Sequence, residues 1–157
     1  ELFATTTDLA KLIETVLPRS KPGHSHPATR SFQAIRIAVN KEYKELFDGL
    51  FSAEKVLSSG GYLVLVTFHS IEDRIVKRFI QARTGKLHST SRYMPGTDDI
   101  EAQFTKVTRK AVKPSIDEIS INPRSRSAKL RIAKRTNIKL GQSLDLEELN
   151  VPIVGGY

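Results

Sequence analysis

An α/β fold interrupted within its sheet is the architecture this sequence describes. Gly60-Gly61 leads into Tyr62-Leu63-Val64-Leu65-Val66-Thr67-Phe68, an apolar run that halts at His69-Ser70. A charged, helix-forming segment, Ile71-Glu72-Asp73-Arg74, begins at once. A run without polar alternation reads as a strand covered on both faces, hence a central parallel strand. In open α/β sheets the ligand crevice lies beyond the carboxyl ends of the strands, which puts His69 and Ser70 where binding or chemistry occurs. No Gly-rich nucleotide loop precedes this strand. The chain therefore reads as the second half of an α/β enzyme, without its cofactor-binding half.

The elements follow in order. Thr5-Thr6-Thr7-Asp8 offers cap residues ahead of Leu9, Leu12, Ile13, Val16 and Leu17, which line one helical face before Pro18 stops the helix. Residues 19–27 form a loop. A long helix is expected over 28–57, with Phe32, Ile35, Val39, Leu46 and Leu50 as its apolar stripe and a break near Gly49. A turn at 58–61 enters the strand 62–68. Ser70 then caps a helix to about Ala82, with Ile71, Ile75, Val76, Phe79 and Ile80 apolar. Residues 84–103 lack periodicity, and a loop that long is usually functional or disordered. A strand over 104–111, a helical turn at 116–119 and an alternating strand over 127–134 follow. In the last strand Ala128, Leu130 and Ile132 are assigned to one face, and Lys129, Arg131 and Lys134 to the other. This strand should pair antiparallel with 62–68, with 104–111 outside it and the other edge of 62–68 bare. Residues 136–157 read as a loosely attached tail.

At 157 residues the chain can bury one real core. It has no apolar run of transmembrane length, and nothing resembles a secretory signal. The absence of cysteine excludes disulfides and thiolate metal sites and fits a cytosolic protein. The first residue is Glu1, not Met, as expected of an engineered piece, a processed product or a fragment. The net charge of +8 is concentrated: residues 104–135 hold ten Lys/Arg against Asp117 and Glu118, while the rest balances at fifteen against fifteen. Such a stripe is the footprint of a polyanion binder, with nucleic acid favoured over a merely solvated strand pair.

Three constellations carry the chemistry. His26-Pro27 opens the long helix, with Pro27 at a first helical position. Arg30, Gln33 and Ile37 fall on one face, Arg36 and Asn40 on the next. Helix-start N–H groups beside arginines attract phosphate or carboxylate, and an ordinary cap with surface arginines fits equally well. His69-Ser70 with Asp73 and Arg74 displays polar groups at the expected crevice, against the plainer reading of an N-cap with an acid in the first turn. A Ser/His/Asp relay is excluded by the closeness of the three in sequence and the lack of a G-x-S-x-G turn. Asn122-Pro123-Arg124-Ser125-Arg126-Ser127-Ala128-Lys129-Leu130-Arg131 packs basic and hydroxyl donors into a turn before a strand, which suits phosphate oxygens, against the plainer reading of a polar turn. His24, His26, His69 and Asp73 have weak spacing for a metal, and no metal is expected.

Three strings, HPATRSFQAIRIAVN (26–40), GGYLVLVTFHSIEDRIVKRF (60–79) and NPRSRSAKLRIAKR (122–135), together with Thr5-Thr6-Thr7-Asp8-Leu9, resemble the bacterial small-subunit ribosomal RNA cytosine-N4 methyltransferases, the MraW/RsmH family. The resemblance spans nearly all of 5–135. It implies the C-terminal half of a Rossmann-like, S-adenosylmethionine-dependent methyltransferase fold plus part of its inserted helical subdomain. Residues 1–57 would be the helical substrate-recognition part, 58–135 the last three strands, and 136–157 a tail. It implies methyl transfer to the exocyclic amine of a cytidine in small-subunit ribosomal RNA, in the cytoplasm and away from membranes. His69 and Ser70 would stand beside the pocket as catalytic groups. Arg30, Gln33, Arg36 and Asn40, near the cleft with the helical subdomain, Asp73 and Arg74, and Asn122, Arg124 and Arg126 would bind substrate. The cofactor residues belong to the family's earlier strands, so S-adenosylmethionine is expected in the full-length parent and not on this chain alone. The expected partner, besides RNA, is the missing N-terminal half or a second copy of the chain.

Overall fold

A computed structural model describes residues 3–17, 25–85, 101–139, 144 and 148–149. Pro18, the loop to His24, most of the 84–103 segment and most of the tail lie outside the described residues. The chain divides into two compact units, Glu1–Glu42 with Val154–Tyr157 and Tyr43–Ile153.

In the first unit, Thr5 caps helix α1 (Thr6–Val16). Its Oγ1 accepts from Asp8 N at 3.2 Å, and the Asp8 carboxylate accepts from Thr5 N at 3.0 Å. This reciprocal box satisfies donors that a helix start leaves orphaned. Helix α2 covers Thr29–Asn40 and buries Ile37. Pro27 sits in the turn before it and not in its first position. The expected single helix is two: Lys41 adopts a left-handed φ of 50° and ends α2, and α3 (Glu42–Val56) starts afresh. Gly49 lies within α3 and breaks nothing.

In the second unit, α3 buries Tyr43, Phe47, Leu50 and Glu54. A turn at Gly60, φ 84°, leads to β1 (Tyr62–Thr67). Gly60 N–H donates to Arg135 O, and Arg135 N–H donates to Gly61 O at 2.8 Å. A Cβ on Gly61 would meet Leu57 Cδ1 at 2.8 Å and Ser58 O at 2.9 Å, so this approach requires glycine. Helix α4 (Ser70–Arg83) follows, then β2 (Phe104–Lys106), α5 (Ile116–Ile121), a 3-10 turn (Pro123–Ser127) and β3 (Lys129–Arg135).

The sheet order is β1-β3-β2, and both pairings are antiparallel. The expected arrangement of the last strands holds, with 104–106 outside and β3 in the middle. The expectation of a central parallel strand covered on both faces does not. Among the described residues β1 is an edge strand, and its burial alternates. Leu63 and Thr67 are buried, whereas Tyr62, Val64, Val66 and Phe68 are between 50% and 56% exposed. The described helices cover one face. There Ile75, Val76 and Phe79 of α4 are fully buried, and the rings of Phe47, Phe51, Phe79 and Phe104 form a chain with centroid spacings of 4.9, 5.7 and 6.4 Å. Buried between α3 and α4, Arg83 reaches Glu54 with two hydrogen bonds, 2.9 and 3.1 Å.

The strand expected over 104–111 ends at Lys106. Val107 N–H and Thr108 N–H both turn to Ile132 O, Thr108 Oγ1 accepts from Ile132 N, and only Val112 rejoins the ladder opposite Leu130. In β3 the register sets Lys134 opposite Tyr62, on the face of Leu130 and Ile132, so its assignment beside Lys129 and Arg131 is corrected. Thr136 is tied to Gln103 O and Ala102 O, and Leu149 is buried, so the tail's described residues are not loosely attached.

Candidate functional site

The chain reverses direction at the carboxyl end of β1. His69 there has extended backbone, φ −112° and ψ 149°, and occupies the cap position of α4. Glu72 folds back, and its Oε2 accepts from Phe68 N and His69 N, each at 3.1 Å. Ser70 is therefore the first helical residue and not the cap, because the acid three residues after His69 supplies the capping acceptor. The outcome is a half-buried His69 and an exposed Ser70 at the strand end. Thr67, the last residue of β1, is buried, and its Oγ1 has no hydrogen-bond partner among the described residues.

One turn into α4, Asp73 is buried against β3. Arg131 grips it bidentately, Nε to Oδ1 at 2.7 Å and an η-nitrogen to Oδ2 at 3.2 Å, and Lys129 Nζ adds a third contact at 3.1 Å. Burial alone would raise this carboxyl's pKa; the hydrogen bonds and charges of Arg131 and Lys129 outweigh it and hold the pKa below its ordinary 3.8. Asp73 fastens α4 to β3 as a carboxylate, while Arg74 beside it is exposed.

The antiparallel register sets Lys129 opposite Thr67. The 3-10 turn that feeds β3 therefore arrives at the end of β1 that carries His69. Asn122 caps this turn: its Oδ1 accepts from Arg124 N at 3.2 Å, and its carbonyl accepts from Ser125 Oγ at 2.8 Å. These bonds fix the backbone and leave Arg124 and Arg126 exposed. The structure thus brings His69, Ser70, Asp73, Arg74 and the 122–126 turn to one end of one sheet.

Arg30, Gln33, Arg36 and Asn40 belong to the other unit. Arg30 is exposed. Arg36 pairs with Glu42 at 2.7 Å, and Asn40 donates to the same carboxylate at 3.2 Å, so these two brace the end of α2. His26 Nε2 meets Glu14 Oε1 at 2.6 Å, and its Nδ1 accepts from Ala28 N, which makes it a brace at the helix start. His24 lies outside the described residues, and among those described no group of three His, Asp or Glu could hold a metal.

Sequence reasoning placed Lys129 and Arg131 in the donor-rich string 122–131 and Glu72 beside His69, but not as the partners that hold Asp73 and cap α4. Glu72 was detectable as an acid three residues after a cap position, although His is an uncommon cap. The odd-numbered face of β3 was detectable from strict alternation. Its pairing with Asp73, 56 and 58 residues away in sequence, was not.

The family model of the MraW methylase family matches residues 1–136. The ribosomal RNA small subunit methyltransferase H of Ruegeria sp. (strain TM1040) is 55% identical over 152 residues, covering 97% of this chain and 46% of that protein. The protein of the same name from Roseobacter denitrificans is 53% identical over 152 residues, with the same coverage. That of Dinoroseobacter shibae is 54% identical over 131 residues, 83% of this chain and 39% of that protein. The chain spans somewhat under half the length of these curated relatives.

Proposed function

The chain belongs to the MraW methylase family, and on that footing we propose that it supplies the C-terminal half of a Rossmann-like methyltransferase and part of its helical subdomain. The reaction is transfer of a methyl group from S-adenosylmethionine to N4 of a cytidine in small-subunit ribosomal RNA, in the cytoplasm. Residues 1–57 would recognise substrate, and 58–135 would form the end of the catalytic sheet. The carrying observation is the strand end: a polar His69-Ser70 pair at the carboxyl end of an apolar strand, with an arginine-bearing turn delivered to the same place by the register of β3.

The cytidine amine is a poor nucleophile because its lone pair is delocalised into the ring. Catalysis then rests on placement and on acceptors for the departing N–H proton. The base must leave its stack to enter a pocket. His69 and Ser70 are proposed to line that pocket and to hold the amine and its proton. Asp73 positions α4 through Arg131 and Lys129, Arg124 and Arg126 bind backbone phosphates, and Arg30, Gln33, Arg36, Asn40, Arg74 and Asn122 complete the substrate surface. The glycine turn before β1 does not fit a cofactor cradle: Gly60 N–H donates to Arg135 O and Gly61 N–H to Ser58 O, each at 2.9 Å. Residues holding S-adenosylmethionine would come from the half of the enzyme that the relatives have beyond the match.

A chimera tests this. The matching region of the Ruegeria protein is replaced by this chain, and nucleoside mass analysis of small-subunit ribosomal RNA reads N4-methylcytidine. Methylation is expected, with loss on His69→Ala. A folded, inactive chimera would overturn the assignment.

The bare apolar face of β1 favours a second reading for the chain in isolation, that of a non-catalytic RNA-binding or self-associating fragment.

A further inference from the structure

We propose that the pocket between α4 and the β2 edge is a subsite for one backbone phosphate of the RNA, separate from the strand-end site. The pocket holds about 80 Å³, where about 10–15 Å³ admits one water. Three elements converge on it: Lys77 and Gln81 from α4, Lys106, Thr108 and Arg109 from β2 and the residues after it, and Arg131 from β3. Four of these carry positive charge, and no acidic side chain lines the pocket.

The charges are not all spent inside the protein. Asp73 answers Arg131 and Lys129. Among the described residues no carboxylate forms an ion pair with Lys77 or Arg109. Thr108 Oγ1 accepts from Ile132 N at 3.1 Å, so its own hydrogen remains to donate. Lysine, arginine, hydroxyl and amide donors around a space of this size form a donor set suited to phosphate oxygens.

Position favours RNA over an acidic peptide. Five of the pocket's eight lining residues, Lys106, Thr108, Arg109, Arg131 and Ile132, belong to the segment that carries the chain's charge excess. Lys77 follows Ser70 by seven residues of helix, about 10 Å at 1.5 Å per residue. A strand whose target base sits at His69 could therefore lay a neighbouring phosphate here. The assignment rests on the RNA reading above.

Fluorescence anisotropy of the whole chain with a single-stranded oligonucleotide of small-subunit ribosomal RNA sequence tests it across a salt series. The Lys77→Ala/Arg109→Ala variant should bind several-fold more weakly, and its slope of log affinity against log salt should fall by about 0.7 for the lost phosphate contact. Inorganic phosphate should shift the Thr108 and Ile132 amide signals in the parent chain and not in the variant. An unchanged slope in a variant with unaltered melting, while Arg124→Ala/Arg126→Ala lowers it, overturns the subsite and leaves the RNA reading standing. Absence of RNA binding by the parent chain overturns both. Polyglutamate competing as well as RNA of equal charge reassigns the pocket to acidic protein and overturns this proposal.

Discussion

Asp73 and Glu54 are both buried acids paired with arginine, yet their pKa values move in opposite directions. For Glu54, burial dominates the attraction of Arg83 and raises the value above 4.5, and its Oε1 is buried without a hydrogen-bond partner among the described residues. For Asp73, Arg131 and Lys129 together win, and the value falls below 3.8. The linkage signs differ accordingly. The stabilisation from Asp73 is fully present above 3.8 and is lost as pH falls through its depressed folded value. The contribution from Glu54 is present below 4.5 and is lost as pH rises through its raised folded value. Asp73→Ala should cost toward the lower end of about 3–5 kcal/mol at neutral pH, since it strands two partly buried cations. Thermal melts should show this penalty shrinking below about pH 4. For Glu54→Gln the stability difference from the parent chain should move in favour of the variant as pH rises above 4.5. A parallel pair of pH curves would refute the Glu54 assignment. His69→Ala, placed in the intact methyltransferase, should reduce methyl transfer far more than stability. The half of the capping box that runs from its backbone N–H to Glu72 is one that alanine keeps. Equal losses of rate and folding would mark His69 as structural. The strand-end residues were legible in sequence because an apolar run that stops announces where a strand ends. The pairing of Asp73 was not, because an ion pair formed by folding leaves no periodic trace.

The elements show where pattern suffices and where it misleads. Helices α1 and α4 follow their apolar spacing, and Ser115 caps α5 through Glu118 N as a serine before an acidic turn should. The break between α2 and α3 was misplaced because glycine is the usual breaker signal, whereas here a lysine takes the left-handed conformation. Gly49 is an ordinary helical residue with nothing within 4 Å of where its Cβ would lie. Gly49→Ala should therefore stabilise the chain by about 0.5–1 kcal/mol in a denaturant titration. Gly61→Ala should do the reverse, because its Cβ meets Leu57 and the Ser58 carbonyl. A loss of stability in Gly49→Ala would mean that the helix is under a constraint the packing does not reveal. Strand β2 was overdrawn because the segment 104–111 runs on past the point where the Thr108 hydroxyl takes the ladder's next donor. Side-chain competition for backbone groups is invisible to a polarity pattern.

At the scale of the whole molecule, the apolar run of β1 poses the question the rest of the structure leaves open. Its sequence suits a strand covered twice, and the described elements cover it once. Leu63 and Thr67 face the helices, while Tyr62, Val64, Val66 and Phe68 stand about half exposed beside the half-buried Leu130 and Ile132 of β3. The outer edge of β1 pairs with no described strand. A bare edge next to apolar side chains is a template for another chain. Covering that face is favourable by about 25 cal/mol for each Å² removed from water. The relatives, about twice as long, would supply the covering elements from their other half. The chain alone has only copies of itself. A homodimer or larger assembly is therefore expected, and light scattering over a dilution series should show it. Val64→Lys/Val66→Lys should shift it to monomer without loss of helix content, since both positions face outward and charge on an edge strand blocks pairing. A stable monomer of the parent chain at micromolar concentration, melting cooperatively, would show that the exposed face tolerates water. It would also remove the reason for reading β1 as a strand that lacks its neighbour.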